Sequence, residues 1–230
     1  MIGYYLILGV FAILGFVMSS RLKGKFKTYS LVPTSTGLSG GEIAQKMLRD
    51  YGIHDVQVRE GQGFLSDHYN PANKTVTLSP DVYHGRHVAA AAVAAHECGH
   101  AVQHNTAYAW LNLRSNLVPV VNFANMAQQW LFIFALGGIA TTGSSVFMMI
   151  FIGALAFTTL FSLVTLPVEF DASKRALVWL DKSQVAASDH EYYGAKDALK
   201  WAAMTYVVAA LGALVTLLYF VLRFAGSSND

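Results

Sequence analysis

The sequence predicts an α-helical integral membrane protein of about four transmembrane helices, with a small α+β part on one side of the bilayer. Three observations carry this expectation. Hydrophobic residues make up 54% of the 230 and charged residues 13%, about half the usual charged share. The charges are also uneven: of the 16 Lys and Arg, only Arg223 lies outside residues 19–116 and 168–200. Between those segments run long stretches almost free of charge, as bilayer-embedded helices require. The net charge of +2 says little when its components are so segregated. No phosphate-binding loop or nucleic-acid motif occurs, so no nucleic-acid partner is expected.

Residues 1–19 read as the first transmembrane helix. Ile2 to Met18 is uncharged, and the basic residues Arg21, Lys23, Lys25 and Lys27 follow it. A secretory signal carries its positive charge before the apolar run. An uncleaved helix is therefore expected, with its amino end outside and its basic end in the cytoplasm. Residues 20–116 form a cytoplasmic part. Its turn-rich stretch Leu31–Gly41 offers Ser39 or Thr36 as a helix cap. Ile43, Ala44, Met47, Leu48 and Tyr51 recur at helical spacing, which predicts an amphipathic helix over Glu42–Tyr51, ended by Gly52. Val56–Glu60 alternates as a strand, and residues 63–79 read as two strands joined by a turn at Asn70–Asn73. Ser79-Pro80-Asp81 starts a helix with proline in the first position. After Gly85 the helix resumes and continues to about Gln103.

Residues 117–167 read as a transmembrane hairpin. Leu117–Ala140 is long enough to span, and its Asn122, Asn125, Gln128 and Gln129 suit hydrogen bonding between helices. Thr141–Ser145 forms the turn, and Val146–Leu166 is the cleaner span, ended by Pro167. Residues 168–200 are a polar, amphipathic cytoplasmic segment; residues 201–230 hold a last span, Ala202–Leu222, and a polar tail. In this topology the two cytoplasmic segments carry 10 and 5 of the 16 Lys and Arg, the expected positive-inside bias. They share a side of the membrane, so their residues can meet in one site.

The stretch His96-Glu97-Cys98-Gly99-His100 gives that site its chemistry. Residues four apart on a helix lie one above the other, so His96 and His100 can offer two imidazoles to one metal ion. Glu97 follows about 100° round the helix, placed to act on a water without ligating. This is the H-E-x-x-H arrangement of zinc hydrolases, and it predicts a zincin-like metallopeptidase part. The preceding run Val88–Ala95 is made of small residues, suited to a helix packed closely on all sides. Gly99 lets another segment approach the backbone between the histidines. Cys98, the single cysteine, rules out an intrachain disulfide; it faces away from the histidines and reads as a small buried residue.

A catalytic zinc site needs three protein ligands and an open position. The second polar segment opens with Pro167-Val-Glu-Phe-Asp-Ala-Ser173, and its acids Glu169 and Asp171 lie at the membrane boundary, where carboxylates are costly without a partner. Glu169 is assigned as third ligand, in the His₂Glu pattern; a salt bridge to Lys174 or Arg175 is its alternative role. Asp171 is expected to accept a hydrogen bond from a ligand imidazole, and is the backup ligand. His104 lies about 12 Å along the helix from His96, too far to join the same ion, and reads as a polar residue at the membrane surface. His84 and His87 are expected to be exposed, and His54 and His190 sit in polar context. Either His68 or Tyr69 is a candidate to bind substrate or stabilise an oxyanion, with a turn network as the competing role. Tyr192 and Tyr193 are further candidates, not separable by sequence.

The sequence also resembles the membrane-bound neutral zinc metallopeptidases of the YugP type. The resemblance covers most of the chain and rests on Leu65-Ser-Asp-His-Tyr-Asn-Pro71, Leu78-Ser79, Ala94-Ala-His-Glu-Cys-Gly-His-Ala-Val-Gln103 and Pro167-Val-Glu-Phe-Asp-Ala-Ser-Lys-Arg-Ala-Leu177. It implies a zinc-dependent membrane peptidase with His96, His100 and Glu169 as ligands and Glu97 as catalytic base. More distantly the chain is similar to HtpX-like membrane proteases, whose third-ligand glutamate is followed four residues on by aspartate; here that position is Ser173.

Together these features lead to the expectation of a multi-pass cell-membrane endopeptidase using Zn²⁺, its site facing the cytoplasm and its substrates polypeptides. The strands of residues 63–79 offer an edge for an extended substrate, which would suit unfolded chains and a quality-control role. Two other readings compete with it. A protease cutting within the bilayer requires the histidine helix to be embedded, and Arg86, His87, His104 and Asn105 bracket too short a run for that. A non-catalytic scaffold requires a zinc site closed by four ligands, and the sequence offers three good candidates.

Overall fold

The computed structural model describes residues 2–63, 66–136 and 145–227. In chain order its elements are α1 (Ile2–Tyr29), α2 (Gly40–Asp50), β1 (Gln57–Glu60), β2 (His68–Asn70), β3 (Thr75–Leu78), α3 (Pro80–Tyr83), α4 (Val88–Asn105), α5 (Ala109–Leu136), α6 (Ser145–Lys182) and α7 (Asp189–Ser227). The described residues form two compact units. One draws on the described residues within 1–16, 112–166 and 206–230, the other on those within 17–111 and 167–205.

The first unit is built from apolar helix. Among the described residues, three helices are long and apolar enough to cross a membrane: Ile2–Tyr29, Val146–Lys182 and Asp189–Gly226. The sequence predicts about four. The remaining expected span, Leu117–Ala140, corresponds to α5 up to Leu136, and its last four residues lie outside the described part, as do residues 141–144 of the expected turn. α5 is long enough, but its Asn and Gln side chains dilute its hydropathy. Asn122, Asn125 and Gln129 are exposed, and among the described residues they make none of the expected hydrogen bonds between helices.

Helices outrun their sequence limits, α1 and α6 among them. α1 continues through the basic stretch to Tyr29, because the end of apolar character is not the end of helix. α6 passes through Pro167 without ending, where the sequence predicts a stop. A proline removes one helical hydrogen bond and crowds the preceding turn. On the far side Val168, Ala172 and Ala176 are completely buried, and their packing keeps the helix in line.

The second unit is organised around α4. Its residues Val88–Ala92, Ala94 and Ala95 are all buried, and these small side chains admit α2 closely. From α2 come Ile43, Ala44, Met47 and Leu48, all buried; fully burying an Ile or Met is worth about 1.5–3 kcal/mol. The start of α2 is a capping box: the Glu42 amide donates to Ser39 Oγ and the Ser39 amide to Glu42 Oε2. At its end Gly52 takes φ +68°, and the Ile53 amide reaches back to the Leu48 carbonyl at 2.9 Å.

The three strands form one mixed sheet in the order β1-β3-β2. β3 is central and buried throughout. β1 runs parallel to it, with Val58 opposite Val76, and β2 antiparallel, with Tyr69 opposite Val76. β2 and β3 are joined by a tight turn in which Lys74 takes φ +51°. β2 is thus an outer strand, with one side paired to β3. The start of α4 is capped by His87, whose Nδ1 accepts from the Ala90 amide at 3.1 Å. That role leaves His87 half-buried, where the sequence predicts exposure; His84 is exposed as expected.

Candidate metal centre

α4 presents His96 and His100 one turn apart, their rings 4.8 Å between centroids and nearly perpendicular. α6 crosses opposite them. The approach depends on Gly99: a Cβ there would lie 2.6 Å from the Ala172 carbonyl oxygen. One turn before Ala172, Glu169 turns its carboxylate between the imidazoles. Its Oε2 lies 3.3 Å from His96 Nε2 and 3.6 Å from His100 Nε2. The Glu169 side chain is only 4% exposed.

Two imidazole nitrogens and one carboxylate oxygen within 4.8 Å of one another form a donor set that can hold a metal ion. Two of the three separations suit a small tetrahedral ion such as zinc. Bonds of about 2.0–2.1 Å in a tetrahedron place neighbouring ligand atoms about 3.3 Å apart, close to both histidine–glutamate distances. Without a metal, the carboxylate is the partner of both rings. Burial pulls the His100 pKa down, but the Glu169 hydrogen bond and charge outweigh it and leave it raised.

Both imidazoles direct Nε2 inward because each Nδ1 is engaged elsewhere. His96 Nδ1 lies 3.1 Å from Ser173 Oγ, and His100 Nδ1 lies 3.0 Å from Gln103 Oε1. The Gln103 amide nitrogen in turn donates to the Val168 carbonyl and to Asp171 Oδ2, both at 2.8 Å. Asp171 also accepts from Arg175 Nε at 2.6 Å, and the Arg175 guanidinium sits over the Tyr108 ring. The sequence reading expects Asp171 to take an imidazole N–H directly. The structure instead places Gln103 between them. Asp171 is two residues from Glu169, and residues i and i+2 do not share a helix face, whereas Ser173, at i+4, does. Arg175 is engaged by Asp171.

Glu97 is 8% exposed, and among the described residues its carboxylate has no hydrogen-bond or ion-pair partner. Cys98 points the other way: it is fully buried and its Sγ lies 3.5 Å from the Ala44 carbonyl. Burial pushes its thiol far up. The loop before β2 is tied to the start of α3, since Asp67 accepts from both the amide and the hydroxyl of Ser79. On β2, His68 donates Nδ1–H to the Ser66 carbonyl at 2.8 Å. Tyr69 OH lies 2.7 Å from His104 Nδ1, and burial pushes its pKa up to about 12. The phenol therefore keeps its proton, and its hydrogen bond with His104 pins β2 against α4. Tyr192 packs on the core, while Tyr193 lines a separate surface cavity of about 390 Å³ with Tyr29, His190 and Lys200.

Gln103 and Ser173 are site residues that the sequence reading misses. The available signal is positional: Gln103 follows His100 by three, and Ser173 follows Glu169 by four.

With this geometry in hand, comparison with known proteins is decisive. The sequence model of the family described as "Putative neutral zinc metallopeptidase" matches residues 4–225. The chain belongs to this family. A curated relative, "Putative membrane protease YugP" of Bacillus subtilis (strain 168), is 40% identical over 219 residues, covering 94% of either chain. No solved structure matches. The zinc metallopeptidase family, a relative named a membrane protease and the apolar helices agree on a membrane protein of this family, with a His/His/Glu cluster that can hold a metal.

Proposed function

We propose that this family member is a multi-pass membrane endopeptidase whose zinc is held by His96, His100 and Glu169, with the site at the cytoplasmic face. The observation carrying the reading is the approach of the Glu169 carboxylate to both imidazole nitrogens, 3.3 and 3.6 Å, beside a buried Glu97 that has no hydrogen-bond partner among the described residues. Zinc, when bound, supplies a Lewis acid that makes water nucleophilic at neutral pH. Glu97 takes a proton from the attacking water and returns it to the leaving amine, as a general base and then acid. The free side of β2 receives an extended substrate by backbone pairing, which sets direction with little demand on sequence.

His68 stands on that strand and is the candidate for the developing oxyanion. Because its Nδ1–H is already given to Ser66, the neutral ring has only a lone pair at Nε2. It serves as a donor there only as imidazolium. Low sequence preference suits unfolded chains or loops of membrane proteins, hence a quality-control role. A four-ligand structural site is the competing reading, and a cluster of three donors beside an acid favours catalysis over it.

The test is zinc content and proteolysis of the detergent-purified protein beside its Glu169→Ala and Glu97→Gln variants. One zinc per chain, lost with Glu169→Ala, and activity lost with Glu97→Gln while zinc stays, is the expected result. Full activity in Glu97→Gln removes that residue from its role.

A further inference from the structure

We propose that Gln103 is a positioning residue that locks His100 in its metal-binding tautomer, and that the lock is set by α6. The inference rests on the zinc reading above and concerns a residue outside the H-E-x-x-H stretch. Gln103 is completely buried, so its amide must find all its partners within the protein. It has one acceptor oxygen and two donor hydrogens, and all are used. Nε2 donates to the Val168 carbonyl and to Asp171 Oδ2, and Oε1 faces His100 Nδ1.

The amide has one workable orientation. Turned over, its oxygen would confront a carbonyl and a carboxylate, two acceptors at 2.8 Å. Oε1 is therefore fixed toward His100, and an acceptor there requires a proton on Nδ1. In the neutral ring the lone pair is then on Nε2, the atom 3.6 Å from Glu169 Oε2, where a metal shared with that carboxylate would bind. Both groups that fix the orientation belong to α6 and flank Glu169, at positions 168 and 171. The helix that brings the third donor also prepares the second one. A glutamate at 103 would meet the same two acceptors with its own negative charge, which explains an amide at this place. Arg175, donating to Asp171 at 2.6 Å, holds the carboxylate where the amide needs it.

The experiment uses the full-length protein in detergent, with zinc affinity read by competition with a chromophoric chelator. The His100 tautomer is read by nitrogen NMR of histidine-labelled, metal-free protein at alkaline pH, where the ring is neutral. Gln103→Met keeps the volume and removes the amide. It is expected to weaken zinc binding about 10- to 100-fold, the usual cost of losing such a partner, and to give His100 a mixture of tautomers. Asp171→Asn retains an acceptor oxygen and is expected to match the parent. Asp171→Leu leaves only the Val168 carbonyl to orient the amide and is expected to bind several-fold more weakly. Parental affinity and an unmixed tautomer in Gln103→Met overturn the lock. Should that variant fail to fold, equal affinity of Asp171→Leu and Asp171→Asn overturns it instead. A parent that binds zinc no better than His96→Ala defeats the zinc reading itself, and the lock with it.

Discussion

Replacing Gly99 by alanine tests how tightly the two ligand-bearing helices are pressed together. In an open helix position, Gly→Ala gains about 1 kcal/mol of helix propensity. At Gly99 the new methyl would meet the Ala172 carbonyl oxygen at 2.6 Å, its carbonyl carbon at 3.1 Å and its Cα at 3.2 Å. These are backbone atoms inside a helix, so no rotamer change relieves them. Ordinary contact begins at 3.4 Å, so α6 must retreat by about 0.8 Å. Overpacking of this kind costs about 1–3 kcal/mol, which cancels or exceeds the propensity gain. The effect on the metal is larger, because Glu169 is one turn from Ala172 and moves with it. A metal site tolerates only about 0.2 Å in its ligand distances. Zinc affinity, measured by chelator competition, is expected to fall at least about tenfold, while the fold survives. Gly153→Ala is the control, since nothing lies within 4 Å of a Cβ there; its zinc affinity should equal the parent's. Gly99→Ala with parental zinc affinity would refute the argument that close approach of these helices sets the donor geometry.

Other outcomes follow from the same geometry. Glu97→Gln should lower peptide hydrolysis by about 10²–10⁴-fold, the usual contribution of a general base, with zinc content unchanged by elemental analysis. Tyr69→Phe should keep one zinc per chain but lower the thermal midpoint, since it removes a hydrogen bond worth about 1 kcal/mol between β2 and α4; a rise in KM exceeding any loss in kcat would mark its effect on the substrate strand. Cys98 should resist a maleimide in the folded protein and react only on unfolding, because the thiolate is the reactive form and burial disfavours it. Rapid labelling of native protein would contradict its packing against Ala44.

The parts of this protein legible in its sequence are those governed by helix periodicity. The four-residue spacing of His96 and His100, the buried alanine face before them and the need for glycine at 99 all follow from residues sharing one helix surface. The acid at 169 was legible as well, because a carboxylate at a membrane boundary demands a partner. Ser173 and Gln103 were not. A neutral hydroxyl and amide bear no signature of their own, and their partners lie on another helix. Asp171 does not meet an imidazole directly because it lies two residues from Glu169, on another face of α6, and Gln103 stands between. Pro167 does not end α6 because its local preference yields to the buried residues beyond it, and α1 runs past its apolar stretch because hydropathy marks the bilayer and not the helix.

The third donor is made long after the other two. His96 and Glu169 are 73 residues apart, and the chain between them includes all of α5. At a synthesis rate of roughly 5–20 residues per second, the histidines wait roughly 4–15 s for their third partner. A chain broken off within that interval holds two imidazoles and the acid at 97, but neither the carboxylate nor the groups that orient Gln103. A peptidase built this way completes its donor set only after both halves of the site have been made. The nascent chain therefore passes through that interval without a finished centre.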